Sequence, residues 1–293
     1  MIPRLSTVVC FLAMLCAAWP SGAAPTACPA HFAAGQAPDT RDPRRAAGAR
    51  DLCFSAFAVR HSGQSRTPLW SAEHLTRAGV KAARGLTRQG TFHAEPLLPR
   101  EEAAGLHDYR GSGYDRGHMS PSGDMPTMEA QQESFSLANM VPQAPRLNRG
   151  LWEAIESGVR ALAVRSGGVY IVTGPLFEGQ SLEALNDRVL VPTSLFKAVY
   201  DPAGRRTGVY LVRNANDSGY KVISVDQLTA LAGIDVFPGV PAALKARAGV
   251  LPAPAWRNRS SRAGKAPAAR DGERGGDQSG WGGWFRTLRR EFQ

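Results

Sequence analysis

Tyr114-Asp115-Arg116-Gly117-His118-Met119 is the stretch on which the reading turns, because two further polar strings follow it closely. Leu137-Ala138-Asn139-Met140-Val141-Pro142-Gln143 comes next, and Leu147-Asn148-Arg149-Gly150-Leu151-Trp152 then leads toward Glu156. A single His beside an Arg says little, since five other histidines are scattered along the chain. Two asparagines that lead into a helix carrying a carboxylate say more: they gather polar groups and hard oxygen donors beside a candidate base. The helix itself is well marked. From Arg149 to Val164, the residues Leu151, Ile155, Val159 and Leu162 fall on one apolar stripe at helical spacing. Asn148 stands where an N-cap belongs, and Gly167-Gly168 ends the run.

On either side the chain alternates irregularly between strands and helices. Phe54 to Arg60 and Pro68 to Leu75 read as strands. Residues 95–113 read as a long connection with a helical piece around Glu101 to His107. After the helix, Val169 to Thr173 is a buried-strand run that a Gly174-Pro175 turn closes. Val189 to Tyr200 and Gly208 to Val212 read as strands paired around Asp201–Arg206, and short helices follow at Val225 to Ala232 and Ala242 to Arg247. No internal repeat occurs. Strands and helices without regular βαβ alternation indicate an α+β fold.

The strings Asp115–His118 (DRGH), Asn139–Gln143 (NMVPQ) and Leu147–Trp152 (LNRGLW) with Glu156 stand in an order and spacing that resembles the DNA/RNA non-specific endonucleases, the ββα-metal or His-Me finger nucleases. PLWSAEHLT at 68–76, SGYDRGHMSPSGDM at 112–125 and VTGPLF at 172–177 add matching context, and the resemblance runs from about Cys28 to Pro252. It implies a central, mostly antiparallel sheet flanked by helices. It also implies metal-dependent hydrolysis of phosphodiester bonds in DNA and RNA, with little sequence preference and 5′-phosphorylated products. Mg²⁺ is the implied ion, with Mn²⁺ as the other candidate.

Each role has a physical basis beside the resemblance. Phosphodiester hydrolysis needs an activated water, charge neutralised on the phosphoryl oxygens, and help for the departing 3′-oxygen. His118 is the candidate general base, since a neutral imidazole with an ordinary pKa near 6.5 accepts a proton at neutral pH; on that value, activity is expected to fall below about pH 6. Asn148 is the candidate direct metal ligand, a hard neutral oxygen that suits Mg²⁺. Cap and ligand compete for that oxygen, and the resemblance favours the ligand. Glu156 lies eight residues on, ~12 Å of rise and about 80° of rotation along a helix. It is therefore expected to hold metal-bound water rather than the ion. Arg116 is expected to contact phosphate, with Asp115 orienting or pairing with it. Asn139 is expected to ligate weakly, orient the base region or bind phosphate. Arg88 is expected at the phosphate or leaving group, although Glu95 stands where the family usually has Asp.

The rest of the chain bounds where this chemistry works. Among 293 residues, 43% are hydrophobic and 20% charged, an ordinary globular balance. Arg4, an apolar run from Val8 to Trp19 and small residues at Gly22, Ala23 and Ala24 describe a signal peptide over 1–24. That run is shorter than the ~20 residues a membrane span needs. The expectation is therefore an exported protein, periplasmic or extracellular, without stable membrane insertion. Cys28 and Cys53 would then form a disulfide. Residues 25–256 are the expected endonuclease domain, with a lead-in over 25–50 that reads as irregular. Residues 257–293, dense in Arg, Gly and Ala, read as a disordered basic tail. The formal net charge of +10 suits an acidic partner, yet about half of the excess lies in that tail. Two alternative functions stay open: a catalytically silent exported polyanion-binding protein, and a nuclease toxin against competitors. Nothing in the sequence sets the oligomeric state.

Overall fold

A computed structural model describes residues 27–256; the expected signal peptide and the basic tail lie outside the described residues. The strands are β1 (Ala49–Cys53), β2 (Phe57–Ser62), β3 (Thr67–Thr76), β4 (Asp115–His118), β5 (Met140–Gln143), β6 (Gly168–Leu176), β7 (Ser194–Asp201), β8 (Arg206–Arg213) and β9 (Tyr220–Ile223). The principal helices are α1 (Arg77–Arg84), α2 (Met128–Ser134), α3 (Glu153–Ser166) and α4 (Val225–Ala232). Seven strands form one antiparallel sheet in the order β9-β8-β7-β6-β3-β2-β1. The pair β4-β5 stands apart as a two-stranded ribbon. The fold is α+β.

The apolar stripe of α3 does what its spacing predicts. Leu151, Ile155, Val159 and Leu162 are at most 2% exposed and pack on Val169 and Ile171 of β6 and Leu195 and Val199 of β7. Burying such side chains is worth roughly 1.5–3 kcal/mol each, so this one seam fixes the helix on the sheet. On the opposite face Phe32 meets Trp70 edge-on at 5.8 Å. Cys28 and Cys53 are joined by a disulfide with Cα atoms 5.9 Å apart, which ties the N-terminal lead-in to the end of β1.

Several expected elements differ. The end of the expected irregular lead-in is ordered: residues 49–53 are strand β1. The Gly174-Pro175 turn is absent: β6 continues to Leu176, and Pro175 pairs with Leu195. Its pairing with β3 stops at Thr173, so Pro175 has a strand neighbour on one side only, where a missing N–H costs no ladder bond. The helical piece at 101–107 is instead a turn, with the Glu102 and Ala103 amides donating to the Pro99 carbonyl, followed by a single helical turn at Leu106–Tyr109. The strand expected over 189–200 breaks at Pro192, leaving a short Val189–Leu190 pair before β7. Among the described residues, no helix is long and apolar enough to cross a membrane.

Candidate active site

Three pieces meet over one face of the sheet: the ribbon β4-β5, a π-helical turn at Leu147–Trp152, and α3. In β4 the side chains alternate, so Arg116 and His118 share a face. Gly117 lies between them, and a Cβ there would run into the Gln143 side chain across the ribbon. The glycine of the DRGH string thus lets β5 approach closely. An open cleft of about 500 Å³ is lined by Arg88, Arg116, His118, Asn148, Glu156 and Arg160, among others. The structure therefore gathers five of the six expected site residues.

His118 is held between two aromatic rings. Phe135 meets it edge-on at 5.0 Å and Phe92 lies tilted at 5.7 Å. Each ring also carries an arginine: Arg116 lies 4.4 Å from the Phe92 ring and Arg88 lies 5.5 Å from the Phe135 ring. Burial, and secondarily the Arg88 charge, push the His118 imidazole down to about 3. The imidazole is therefore neutral at neutral pH, the form a general base needs. Its Nε2 is buried without a hydrogen-bond partner, so the atom that would take a proton is uncommitted. Arg116 is not paired with Asp115; its guanidinium stacks on Phe92, and Nε is buried without a partner.

Asp115 instead clamps the helical turn. It accepts Asn148 Nδ2 at 2.9 Å and Arg149 Nε at 2.8 Å. A carboxylate only accepts, so this contact settles which end of the Asn148 amide is nitrogen. The amide oxygen is the end left for another partner. Asn148 is not the N-cap: it lies inside the π-helical turn, and its backbone N–H donates to the Ala144 carbonyl. The competition between cap and ligand is thereby removed. Glu156 lies one helix segment further along the same cleft, and burial raises its carboxyl to about 7 against the opposing charge of Lys197.

Asn139 is the expected site residue that the cleft does not contain. It is fully buried; its Nδ2 donates to the Ser120 and Ser134 carbonyls, and its Oδ1 accepts the Ser120 N–H. No atom remains for a metal or a phosphate, so it fixes the backbone just after His118. Glu95 is also structural, accepting the Ser136 hydroxyl at 2.6 Å.

Sequence reasoning missed Arg160. It is paired with the buried Asp124 at 2.9 Å and with Glu153 at 3.5 Å, and it lines the cleft. The signal was present: Arg149, Glu153, Glu156 and Arg160 recur at steps of four, three and four, a second helical stripe that is charged where the first is apolar. Phe92 and Phe135 carried no such signal.

Beneath the cleft lies Glu73, 2% exposed, with Oε1 lacking a partner. Burial, reinforced by Asp124, holds its carboxyl well above the ordinary value of 4.5. In the unfolded chain Glu73 ionises near that value, so folding at a pH between the unfolded and folded values takes up a proton. Its contribution to stability is full below the unfolded pKa and is lost as pH rises through the folded one. Glu73→Gln, a neutral isostere, is expected to raise the melting midpoint near pH 8 and to leave it unchanged near pH 4. Each unit of elevation is about 1.4 kcal/mol, or roughly 3–6 °C in a domain of this size. Calorimetry at the two pH values checks this; an equal shift at both would show that Glu73 is ionised in the fold.

Known proteins resemble the chain over most of the described residues. The family model described as DNA/RNA non-specific endonuclease matches residues 41–243. Nuclease C1 of Cunninghamella echinulata var. echinulata is 35% identical over 175 residues, 55% of this chain and 69% of that protein. The mitochondrial nuclease EXOG of Danio rerio is 33% identical over 217 residues, 66% of this chain and 62% of that protein. The match thus spans less than two thirds of the EXOG relative's length. The crystal structure of an EndoG/EndoGI complex contains a chain that superposes with a TM-score of 0.59 at 26% identity, covering 63% of this chain and 84% of that one. The chain belongs to the DNA/RNA non-specific endonuclease family and is a hydrolase of that family.

Proposed function

We propose that the protein is an exported, metal-dependent endonuclease that cleaves DNA and RNA with little sequence preference and leaves 5′-phosphates. The observation that carries this reading is the presence of two prepared groups in the lining of one cleft: an uncommitted, neutral His118 and an Asn148 amide turned by Asp115. A silent nucleic-acid binder needs neither.

The residues present fit a hard divalent cation, Mg²⁺ or Mn²⁺. Asn148 would hold it through Oδ1, and Glu156 through bound water, as oxygen donors suit such ions. When bound, the ion supplies positive charge for a non-bridging phosphoryl oxygen and for the departing 3′-oxygen. The chain does the rest. His118 Nε2 takes a proton from a water positioned in line with phosphorus. Arg116, with Arg88 and Arg160, faces the charge that builds on the phosphoryl oxygens. The Phe92 and Phe135 rings exclude water behind the imidazole and limit its rotation.

Export is supported by the sequence before Ala24 and by the Cys28–Cys53 bond, which persists in oxidising compartments. The decisive assay is degradation of plasmid DNA and of RNA by the purified protein. Both are expected to be degraded with Mg²⁺, and neither with EDTA. Equal degradation in EDTA would overturn the metal assignment, and no degradation under any condition would overturn the enzyme.

A further inference from the structure

The sheet face beneath the cleft carries, beside Glu73, one polar row that crosses three strands. Ser71 of β3 pairs with Thr173 of β6, which pairs with Lys197 of β7. All three are at most 2% exposed. The row lies directly under the segment that leaves His118. Ser71 Oγ is 2.8 Å from Ser120 Oγ, and Lys197 Nζ donates to the Met119 carbonyl at 3.3 Å and to Thr173 Oγ1 at 2.7 Å. The same ammonium lies 5.5 Å from the ring of Trp152, the last residue of the turn that carries Asn148.

Lys197 thus touches both halves of the site from one fixed point on the sheet: the strand end that bears the base and the turn that bears the ligand. Burying an ammonium costs several kcal/mol, and an apolar side chain of similar volume often serves stability as well or better. The strand neighbours of Lys197 on the same face, Leu195 and Val199, are apolar, while its charge opposes the buried carboxyls of Glu73, Asp124 and Glu156 that lie beneath the cleft. Thr173 is itself tied into the sheet on both sides, so the distance from β7 to the Met119 carbonyl has little freedom.

We propose that Lys197, seated on Thr173, is a positioning residue for catalysis: it fixes the Met119 carbonyl and the Trp152 turn, and so sets the spacing of His118 from the Asn148 oxygen. This rests on the roles of His118 and Asn148 proposed above. Lys197 lies below the cleft and touches no nucleic acid, so its loss acts on turnover rather than on binding.

The test compares wild type, Lys197→Met, Thr173→Val and the core control Val199→Ala on plasmid DNA at saturating Mg²⁺, well below each protein's own melting midpoint. Displacing a reacting group by about 1 Å costs on the order of 100-fold. Lys197→Met is therefore expected to lower kcat by about 10- to 100-fold, and Thr173→Val by about three- to tenfold. KM for DNA should stay within about twofold in both, the signature of an interaction absent from ground-state binding. Val199→Ala should keep kcat within about twofold. Wild-type kcat in both polar variants overturns the proposal, as does a kcat loss matched by Val199→Ala or a loss carried by KM alone. If Lys197→Met does not fold, Thr173→Val decides by itself. His118→Ala is assayed beside them: an inactive His118→Ala with fully active Lys197→Met refutes only the positioning role, whereas an active His118→Ala refutes the base assignment beneath it.

Discussion

His118→Ala is expected to lower kcat by about 10³-fold while changing the affinity for DNA by no more than about twofold, because a general base acts mainly in the transition state. The geometry supports both halves of this statement. His118 is buried between Phe92 and Phe135 and contributes little surface to a bound strand. The arginines over those rings remain to hold phosphate. Single-turnover rates and fluorescence anisotropy with a labelled duplex separate the two effects. Turnover within about tenfold of wild type would remove His118 as the base.

Asn148→Ala is expected to raise the Mg²⁺ concentration for half-maximal activity by at least about 100-fold, more than the 10- to 100-fold usual for loss of an outer partner. Titration calorimetry with Mg²⁺ or Mn²⁺ reads the same loss without relying on turnover. The pH dependence of binding identifies the second group. Glu156 is raised to about 7 by burial. It is a carboxylate above that value and a neutral acid below it, and only the carboxylate holds metal-bound water well. Metal affinity should therefore be full above about pH 7 and weaken as pH falls, and Glu156→Gln should flatten that slope. The acid limb is then expected from Glu156, since burial pushes the His118 imidazole down to about 3. An acid limb near pH 6 that persists in the Glu156→Gln metal-binding profile would reverse this assignment.

How much of this was legible in the sequence varies with the physical signal involved. The α3 stripe was legible because four apolar residues at helical spacing have few other meanings. His118 and Asn148 were legible because their strings resemble a known family in order and spacing. Asn139 was left with three tasks, weak ligation, phosphate binding or orienting the base region. Its residue type permits all three, and only its burial and the three hydrogen bonds to Ser120 and Ser134 point to the last. The Gly174-Pro175 turn failed because a proline breaks a ladder only where both neighbours are present, which is a matter of register. Glu73 and Lys197 left no trace of burial, since a strand alone does not show what covers a polar side chain. What covers Lys197 is the segment at Met119, far away in sequence.

The outermost strand β1 has a consequence for assembly. An open sheet presents unpaired backbone groups along its edges, and a bare edge recruits a second copy. Here Arg50 is tied to Glu102, Asp51 to Arg60, and the strand closes on a covalent link at Cys53. Charges and a crosslink thus occupy the border at which another chain would have to zip on. Self-association by strand addition along β1 is thereby disfavoured.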